Sequence, residues 1–340
     1  MSLRIAILGA TGMVGVELLR VLEAGDLPVE RLVALASGRG GGDRTVTFRG
    51  ERVPVIGAEG YDYAGIDLVL ASAGEDVSAR EAPKAVAAGA LVIDNTAWFR
   101  MRPEVPLVIP EINGEAAVGH RGIIANPNCS TAIVLMAVAP LLALGGLRRM
   151  SVSTYQSASG AGKEGVAELV RQTKDDLADR PPHHEVFHAP LAGNVLPRIG
   201  RLLEDGRTSE EAKMEEESRK ILDLPELAVS CTCVRVPVAV GHSATVNLAF
   251  DRSVTPEAAR DRLAAATGVR LVDAPDVPTP REVAGLDEVL VGRLRRDASQ
   301  QHGLDLWVTG DNLRKGAALN AVQIADWLHR HGHLVGRQAR

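Results

Sequence analysis

The chain has 340 residues, 46% of them hydrophobic and 24% charged, with a formal net charge of −5. That length is too great for one ordinary core and implies two domains of a folded, not a disordered, protein. The acidic balance, with lysines and arginines scattered singly, excludes a nucleic-acid partner as an expectation, and no stretch nears the roughly 20 apolar residues that span a membrane.

In chain order, residues 3–8 read as a buried strand and 13–24 as an amphipathic helix. A strand over 31–36, a hairpin-like stretch over 46–55, a buried strand over 66–71, a helix over 76–88 and strands over 90–94 and 122–125 follow. This alternation predicts a parallel sheet with helices on both faces. Asn128 or Cys129 then opens a helix through Leu142, with Asn128 as a candidate N-cap.

After Gly145-Gly146 the pattern changes. Residues 148–156 alternate like a strand with one wet face, and further strands over 228–236, 244–250, 289–295 and 304–309 lie far apart. They predict a mixed or antiparallel sheet with long connections, an α+β domain. Residues 179–194, with Pro181-Pro182 and three histidines, read as an extended loop. The last helix, 313–331, has one apolar face that must be buried, and is expected to return to the first domain.

Gly9-Ala10-Thr11-Gly12-Met13-Val14-Gly15 stands between the first strand and the first helix. Glycines at Gly9 and Gly12 permit a tight turn, and Thr11, Met13 and Val14 place free N–H groups where a pyrophosphate would lie. A tight turn without a ligand is the plainer alternative. The second strand ends in Ser37-Gly38-Arg39-Gly40, with no Asp or Glu to hold a ribose 2′-hydroxyl. Ser37, Arg39 and Gly40 instead suit a 2′-phosphate, so NADP(H) is the expected cofactor unless Arg39 is only a solvated loop residue. The expected fold is α/β: a Rossmann-type domain over 1–127 plus 313–340, and a second, α+β domain with the chemistry over 128–312.

Asn126-Pro127-Asn128-Cys129-Ser130-Thr131 puts a cysteine at a helix start, where the dipole and unpaired N–H groups favour a thiolate. An inert buried thiol is the alternative. Nine histidines could serve it as base. Most lie in the polar loop or the tail; His242, between two strands and just after Gly241, is the candidate. Three cysteines are too few for a disulfide framework and fit a reducing, cytoplasmic compartment. Cys231-Thr232-Cys233 puts two sulfurs on one sheet face, which reads as structural, and no metal site is expected.

Together, GATGMVG, the Asn-Pro-Asn-Cys-Ser-Thr run, residues 154–162 (TYQSASGAG) and residues 235–243 (RVPVAVGHS) resemble the aspartate-semialdehyde dehydrogenase family, in its order and spacing, over about residues 3–331. The resemblance implies an NADPH-dependent reductive dephosphorylation of L-aspartyl-4-phosphate, in lysine, threonine and methionine biosynthesis. It implies Cys129 as the thioester carrier, His242 as acid and base, and Gln156 as an orienting group. Arg235 and Glu210 would bind the substrate's carboxylate and amine, and Arg100 and Lys213 its phosphate. Glu210 and Lys213 would otherwise be an ordinary helical ion pair. Ser159, Gly160 and Asn312 would touch the cofactor. A homodimer is implied, or a homotetramer. The Gly40-Gly41-Gly42-Asp43 stretch departs from the family's usual Ser-Ala-Gly-Lys. The alternatives are N-acetyl-glutamyl-phosphate reductase, glyceraldehyde-phosphate dehydrogenase and a catalytically silent dinucleotide-binding regulator.

Overall fold

The structure, a computed structural model, describes residues 2–37 and 44–334. The chain divides into two compact units, Met1–Asn128 with Ala317–Arg340, and Cys129–Gly316.

The first unit is built on β1 (Leu3–Leu8), α1 (Met13–Ala24), β2 (Val29–Ala36), β3 (Thr45–Phe48), β4 (Glu51–Gly57), β5 (Leu68–Ala71), α2 (Glu75–Ala87), β6 (Leu91–Asp94), the short α3 (Pro110–Asn113) and β7 (Ile123–Ala125). Its seven strands lie in the order β3-β4-β2-β1-β5-β6-β7. All neighbours are parallel except the β3–β4 hairpin at one edge. β5 and β6 are buried at every position, as strands covered on both faces must be, which is why they read as unbroken apolar runs. The strand order reverses at β1, which has β2 on one side and β5 on the other. In such sheets ligands settle outside the carboxyl ends of the strands at that point.

The second unit contains α4 (Cys129–Val138), the short α5 (Leu142–Gly145), β8 (Leu147–Gln156), α6 (Gly162–Leu177), α7 (Ser209–Leu222), β9 (Ala228–Arg235), β10 (His242–Phe250), α8 (Pro256–Ala264), β11 (Val269–Leu271), the short α9 (Pro280–Val283), β12 (Val289–Arg296) and β13 (Gly303–Gly310). Its mixed sheet runs β11-β12-β13-β10-β8-β9. β10 is antiparallel to both β8 and β13, while the β8–β9 and β11–β12 pairs are parallel. In α4, residues 130–138 are all buried, as expected for a helix apolar on every side. A capping box between Thr208 and Glu211 starts α7 and fixes where Glu210 and Lys213 stand.

After β13 come a π-helical turn, Arg314–Ala318, and α10 (Leu319–Arg330). Leu319, Val322, Ile324, Ala325 and Leu328 of α10 join the core formed by β1, α1 and β5 in the first unit. No helix among the described residues is long and apolar enough to cross a membrane.

Candidate active site

In the first unit the β1–α1 turn is shaped by its glycines. Gly9 has φ +94°, and a Cβ there would stand 2.9 Å from the Ser72 carbonyl. A Cβ on Gly15 would come within 2.1 Å of the Gly9 oxygen, so only glycine lets α1 start this close to β1. Gly12 is the N-cap, in extended conformation and without a side-chain cap, leaving the first N–H groups of α1 without a side-chain acceptor. Thr11, Gly12, Met13 and Val14 keep solvent exposure, whereas Gly15 and the inner face of the helix are buried. A dinucleotide's pyrophosphate fits these residues. Ser37 is exposed just beyond β2; Arg39 and Gly40 lie outside the described residues.

Arg100, also in the first unit, is buried. Its Nε donates to the Asn126 carbonyl at 2.9 Å and its Nη2 to the Asn95 carbonyl at 2.7 Å. Asn126 in turn donates from Nδ2 to Asn95 Oδ1 at 2.6 Å and accepts from Asn320 Nδ2 at 2.7 Å. This asparagine scaffold, which fixes the guanidinium, carried no legible signal in the sequence.

The second unit assembles the rest. Cys129 is half-buried at the first position of α4. A Cβ on Gly316 would stand 2.9 Å from Cys129 Cβ, so that glycine keeps the space beside the sulfur's carbon open. Cys233, by contrast, is buried 3.6 Å from the Cys231 sulfur. That shared hydrogen bond and burial push its thiol far up, so it stays protonated and inert. The C-x-C pair is structural, as its alternation on one sheet face implied.

Gln156, the last residue of β8, accepts from Thr154 Oγ1 at 3.0 Å and donates to Glu210 Oε1 at 3.1 Å. Lys213 donates to the other Glu210 oxygen at 3.2 Å. Glu210 and Lys213 are therefore an i, i+3 pair tied directly to Gln156. Arg235, ending β9 beside Gln156, is buried and donates from Nη1 to the Ser157 carbonyl at 2.7 Å. Burial draws its pKa below the ordinary guanidinium value; Glu210 and a Cys129 thiolate act in the opposite direction, which puts both within electrostatic reach.

His242 opens β10 and is 1% exposed. Its Nδ1 lies 3.0 Å from both the backbone nitrogen and the Oγ of Ser157, and its buried Nε2 has no hydrogen-bond partner among the described residues. Burial, then the Arg235 charge, lower its pKa to about 3 against weaker opposition from Glu210 and the Gly241 carbonyl. The imidazole is thus neutral at physiological pH. Asn312 Oδ1 accepts from Gly241 N–H at 3.0 Å, Ser159 Oγ at 3.0 Å and Ser157 Oγ at 3.1 Å, gathering the turns around the imidazole. A Cβ on Gly160 would lie 2.6 Å from Arg235 Nη1 and 3.2 Å from His242 Nε2.

Two contributors escaped the sequence reading. Glu168 of α6 accepts the backbone N–H groups of Glu185, Val186 and Phe187, and Gln172 accepts those of Leu191 and Ala192, so the loop over 179–194 is strapped down. The strap brings Phe187 beneath Arg235, whose guanidinium carbon is 6.0 Å from the ring centre. The lone aromatic in that histidine-rich stretch was the available signal. His183 pairs with Glu185 and His184 contacts the Phe187 carbonyl, roles that keep the loop together.

A glycine turn of the dinucleotide-binding type on one unit, and a half-buried cysteine, a neutral histidine and a buried arginine on the other, mark the class of dinucleotide-dependent dehydrogenases. Residues 4–120 match the semialdehyde dehydrogenase NAD binding domain, and residues 138–315 the semialdehyde dehydrogenase dimerisation domain. The chain is 48% identical to the aspartate-semialdehyde dehydrogenase of Synechocystis sp., over 98% of this chain and 99% of that one. With the Bacillus subtilis enzyme it shares 42%, covering 97% and 98%. The crystal structure of aspartate semialdehyde dehydrogenase II from Vibrio cholerae superimposes with a TM-score of 0.95 at 44% identity, covering 97% and 99%. The same Vibrio enzyme is also solved in complex with ASA. The chain belongs to the aspartate-semialdehyde dehydrogenase family. Neither the other acyl-phosphate reductases nor a silent regulator is favoured by these relatives.

Proposed function

We propose that the protein reduces L-aspartyl-4-phosphate to L-aspartate 4-semialdehyde with NADPH. The observation that carries this reading is the buried Arg235, set within electrostatic reach of Cys129 and beside His242, a constellation suited to a small anionic acyl substrate.

Cys129 is the nucleophile. Its thiolate bonds to the acyl carbon as the carbon–oxygen bond to phosphate breaks, and the departing phosphate takes one proton from water. NADPH, when bound, supplies the hydride that reduces the thioester. The carbon–sulfur bond then breaks, its electron pair returns to Sγ, and the aldehyde is released. His242 handles the proton at the reacting oxygen, and Gln156 orients the acyl group. Arg235 pairs with the α-carboxylate and Glu210 with the α-amine. Arg100 and Lys213 serve the phosphate. Gly9, Thr11, Gly12, Met13, Val14, Ser37, Arg39 and Gly40 hold the cofactor, with Ser159, Gly160 and Asn312 supporting it; an Arg at 39 and no acid after β2 favour NADP over NAD. The domain boundaries assigned to these tasks are 1–127 plus 313–340 and 128–312. The working form is a homodimer, or a homotetramer of two such dimers, in the cytoplasm.

The test is phosphate-dependent reduction of NADP with aspartate semialdehyde. Turnover that needs both phosphate and this aldehyde is expected. Absence of turnover, with activity on N-acetyl-glutamate semialdehyde instead, overturns the reading.

A further inference from the structure

Arg100 donates to two backbone carbonyls, and these belong to two residues whose side chains are joined to each other. Its Nε meets the Asn126 carbonyl at 2.9 Å and its Nη2 the Asn95 carbonyl at 2.7 Å, while Asn126 Nδ2 donates to Asn95 Oδ1 at 2.6 Å. The side-chain bond therefore sets the spacing of the two acceptors, and with it the angle of the planar guanidinium.

A carbonyl can only accept, so each amide in this group can face one way. Asn320 Nδ2 donates to the Val108 carbonyl at 2.9 Å, and the other hydrogen of the same nitrogen goes to Asn126 Oδ1 at 2.7 Å. Asn126 is left to donate from Nδ2, which also reaches the Ala317 carbonyl at 3.2 Å. Asn95 Nδ2 ends the row on the Ala71 carbonyl at 3.3 Å, which turns its Oδ1 to Asn126. The amides thus run head to tail from α10 across the carboxyl ends of β7, β6 and β5. Ala317 and Asn320, three positions apart at the start of α10, hold the Asn126 amide by both of its ends.

We propose that Asn320, the second residue of α10, is a positioning residue for phosphate: through Asn126 and Asn95 it holds Arg100 at the angle from which the guanidinium meets the phosphate group. The inference rests on the reading of Arg100 as a phosphate ligand and extends that site to the C-terminal helix.

Two observations separate this role from plain stabilisation. α10 is already anchored by Leu319, Val322, Ile324, Ala325 and Leu328, and a buried amide adds little to that, because its desolvation offsets what its hydrogen bonds return. The backbone leading to Arg100 is also held separately. Buried Asp94 accepts the Thr96 hydroxyl at 2.7 Å and the Thr96 N–H at 3.2 Å, so loss of the Asn320 amide leaves that turn in place and frees the guanidinium to swing.

Phosphate-dependent NADP reduction by the full-length wild type, Asn320→Ala, Arg100→Ala and the double variant tests the proposal. Asn320→Ala is expected to lower kcat/KM for phosphate about 10-fold, the equivalent of one well-aimed hydrogen bond. The fall should lie in KM, with kcat at saturating phosphate and KM for aspartate semialdehyde close to wild type. Arg100→Ala should lower kcat/KM for phosphate further, and adding Asn320→Ala to it should change nothing more, because the two residues act in series. An unchanged phosphate KM in Asn320→Ala, an equal fall in the Arg100→Ala background, or a uniform loss in every parameter overturns the proposal and leaves Arg100 as the phosphate ligand. Should Asn320→Ala not fold, Asn95→Ala takes its place in the same cycle, with the same expected and overturning results; it breaks the half-buried end of the row and keeps the Asn95 carbonyl. Wild-type kcat/KM for phosphate in Arg100→Ala sinks the phosphate reading itself.

Discussion

Arg235 and Ser157, 78 residues apart, are joined by a 2.7 Å hydrogen bond from the guanidinium Nη1 to the serine carbonyl. Because the N–H of the same serine reaches His242, one residue's two backbone dipoles fix both the guanidinium and the imidazole. Lysine has a single ammonium and cannot match a carboxylate and Ser157 together. Arg235→Lys is expected to raise KM for aspartate semialdehyde about 10–100-fold, the equivalent of one charged hydrogen bond, with a smaller change in kcat. Steady-state kinetics check it; an unchanged KM removes Arg235 from substrate binding.

Cys129→Ala should lower phosphate-dependent turnover at least about 10³-fold, since it removes the only bond-forming group assigned to the chain. NADPH binding, measured by fluorescence titration, should persist. In the wild type, brief iodoacetamide treatment should label Cys129 ahead of Cys233, whose proton is held by Cys231 and burial. Preferential labelling at Cys233 would reverse the assignment of reactive thiol.

Gly160→Ala introduces a methyl at 2.6 Å from Arg235 Nη1 and 3.2 Å from His242 Nε2. The first neighbour is the tip of a flexible side chain, so the protein should fold, but both donors must move. About a 10–100-fold fall in kcat/KM, with a melting temperature close to wild type, is expected. Full activity would show that the space beside Gly160 is not used.

Glu168 is nearly inaccessible to solvent, and burial opposes its charge, but the N–H groups of Val186, Glu185 and Phe187 outweigh that and hold its pKa below the ordinary carboxylate value. A folded pKa below the unfolded one contributes stability that is present above the unfolded value and is lost as pH falls through the folded value. Glu168→Gln should therefore cost about 2 kcal/mol near pH 7, and the gap from wild type should close on acidification below about pH 4. Urea unfolding at the two pH values measures it. Since the strap carries Phe187, KM should rise as well.

His242 behaves in the opposite chemical sense. Its folded pKa, about 3, lies below the ordinary 6.5, so the unfolded chain binds the proton first on acidification. Stability linked to this ring is complete above pH 6.5 and declines below it, by about 2 kcal/mol at pH 5. His242→Gln should lose that much less than wild type between pH 7.5 and 5. Identical losses in the two proteins would mean the ring is accessible to protons when folded.

Much of the first unit was legible because its signals are local. An unbroken apolar run, three glycines at fixed spacing and an amphipathic helix gave β1, the turn and α1, with the helix bounds 13–24 as observed. The second unit was less readable. α6 was not foreseen because the face it turns inward includes Glu168 and Gln172, which bind loop backbone instead of an apolar core. α8 also went unread, although Thr255-Pro256 is a capping residue followed by proline at the first helical position. The hairpin-like stretch resolved into β3 and β4 with an antiparallel pairing, and residues 31–36 extended back to Val29. At the site, Cys129 could be singled out from its own neighbours, but Ser157, Phe187 and the Asn95–Asn126–Asn320 scaffold could not.

The amino-acid order alone determined which thiol opens a helix and where the glycine turn between β1 and α1 lies, since both depend on residues a few positions apart. Which of nine histidines stands beside Arg235, and that its imidazole stays neutral, was decided only on folding. Those facts depend on hydrogen bonds linking residues 71 to 155 positions apart, and on the removal of water that makes a neutral imidazole cheaper than a charged one.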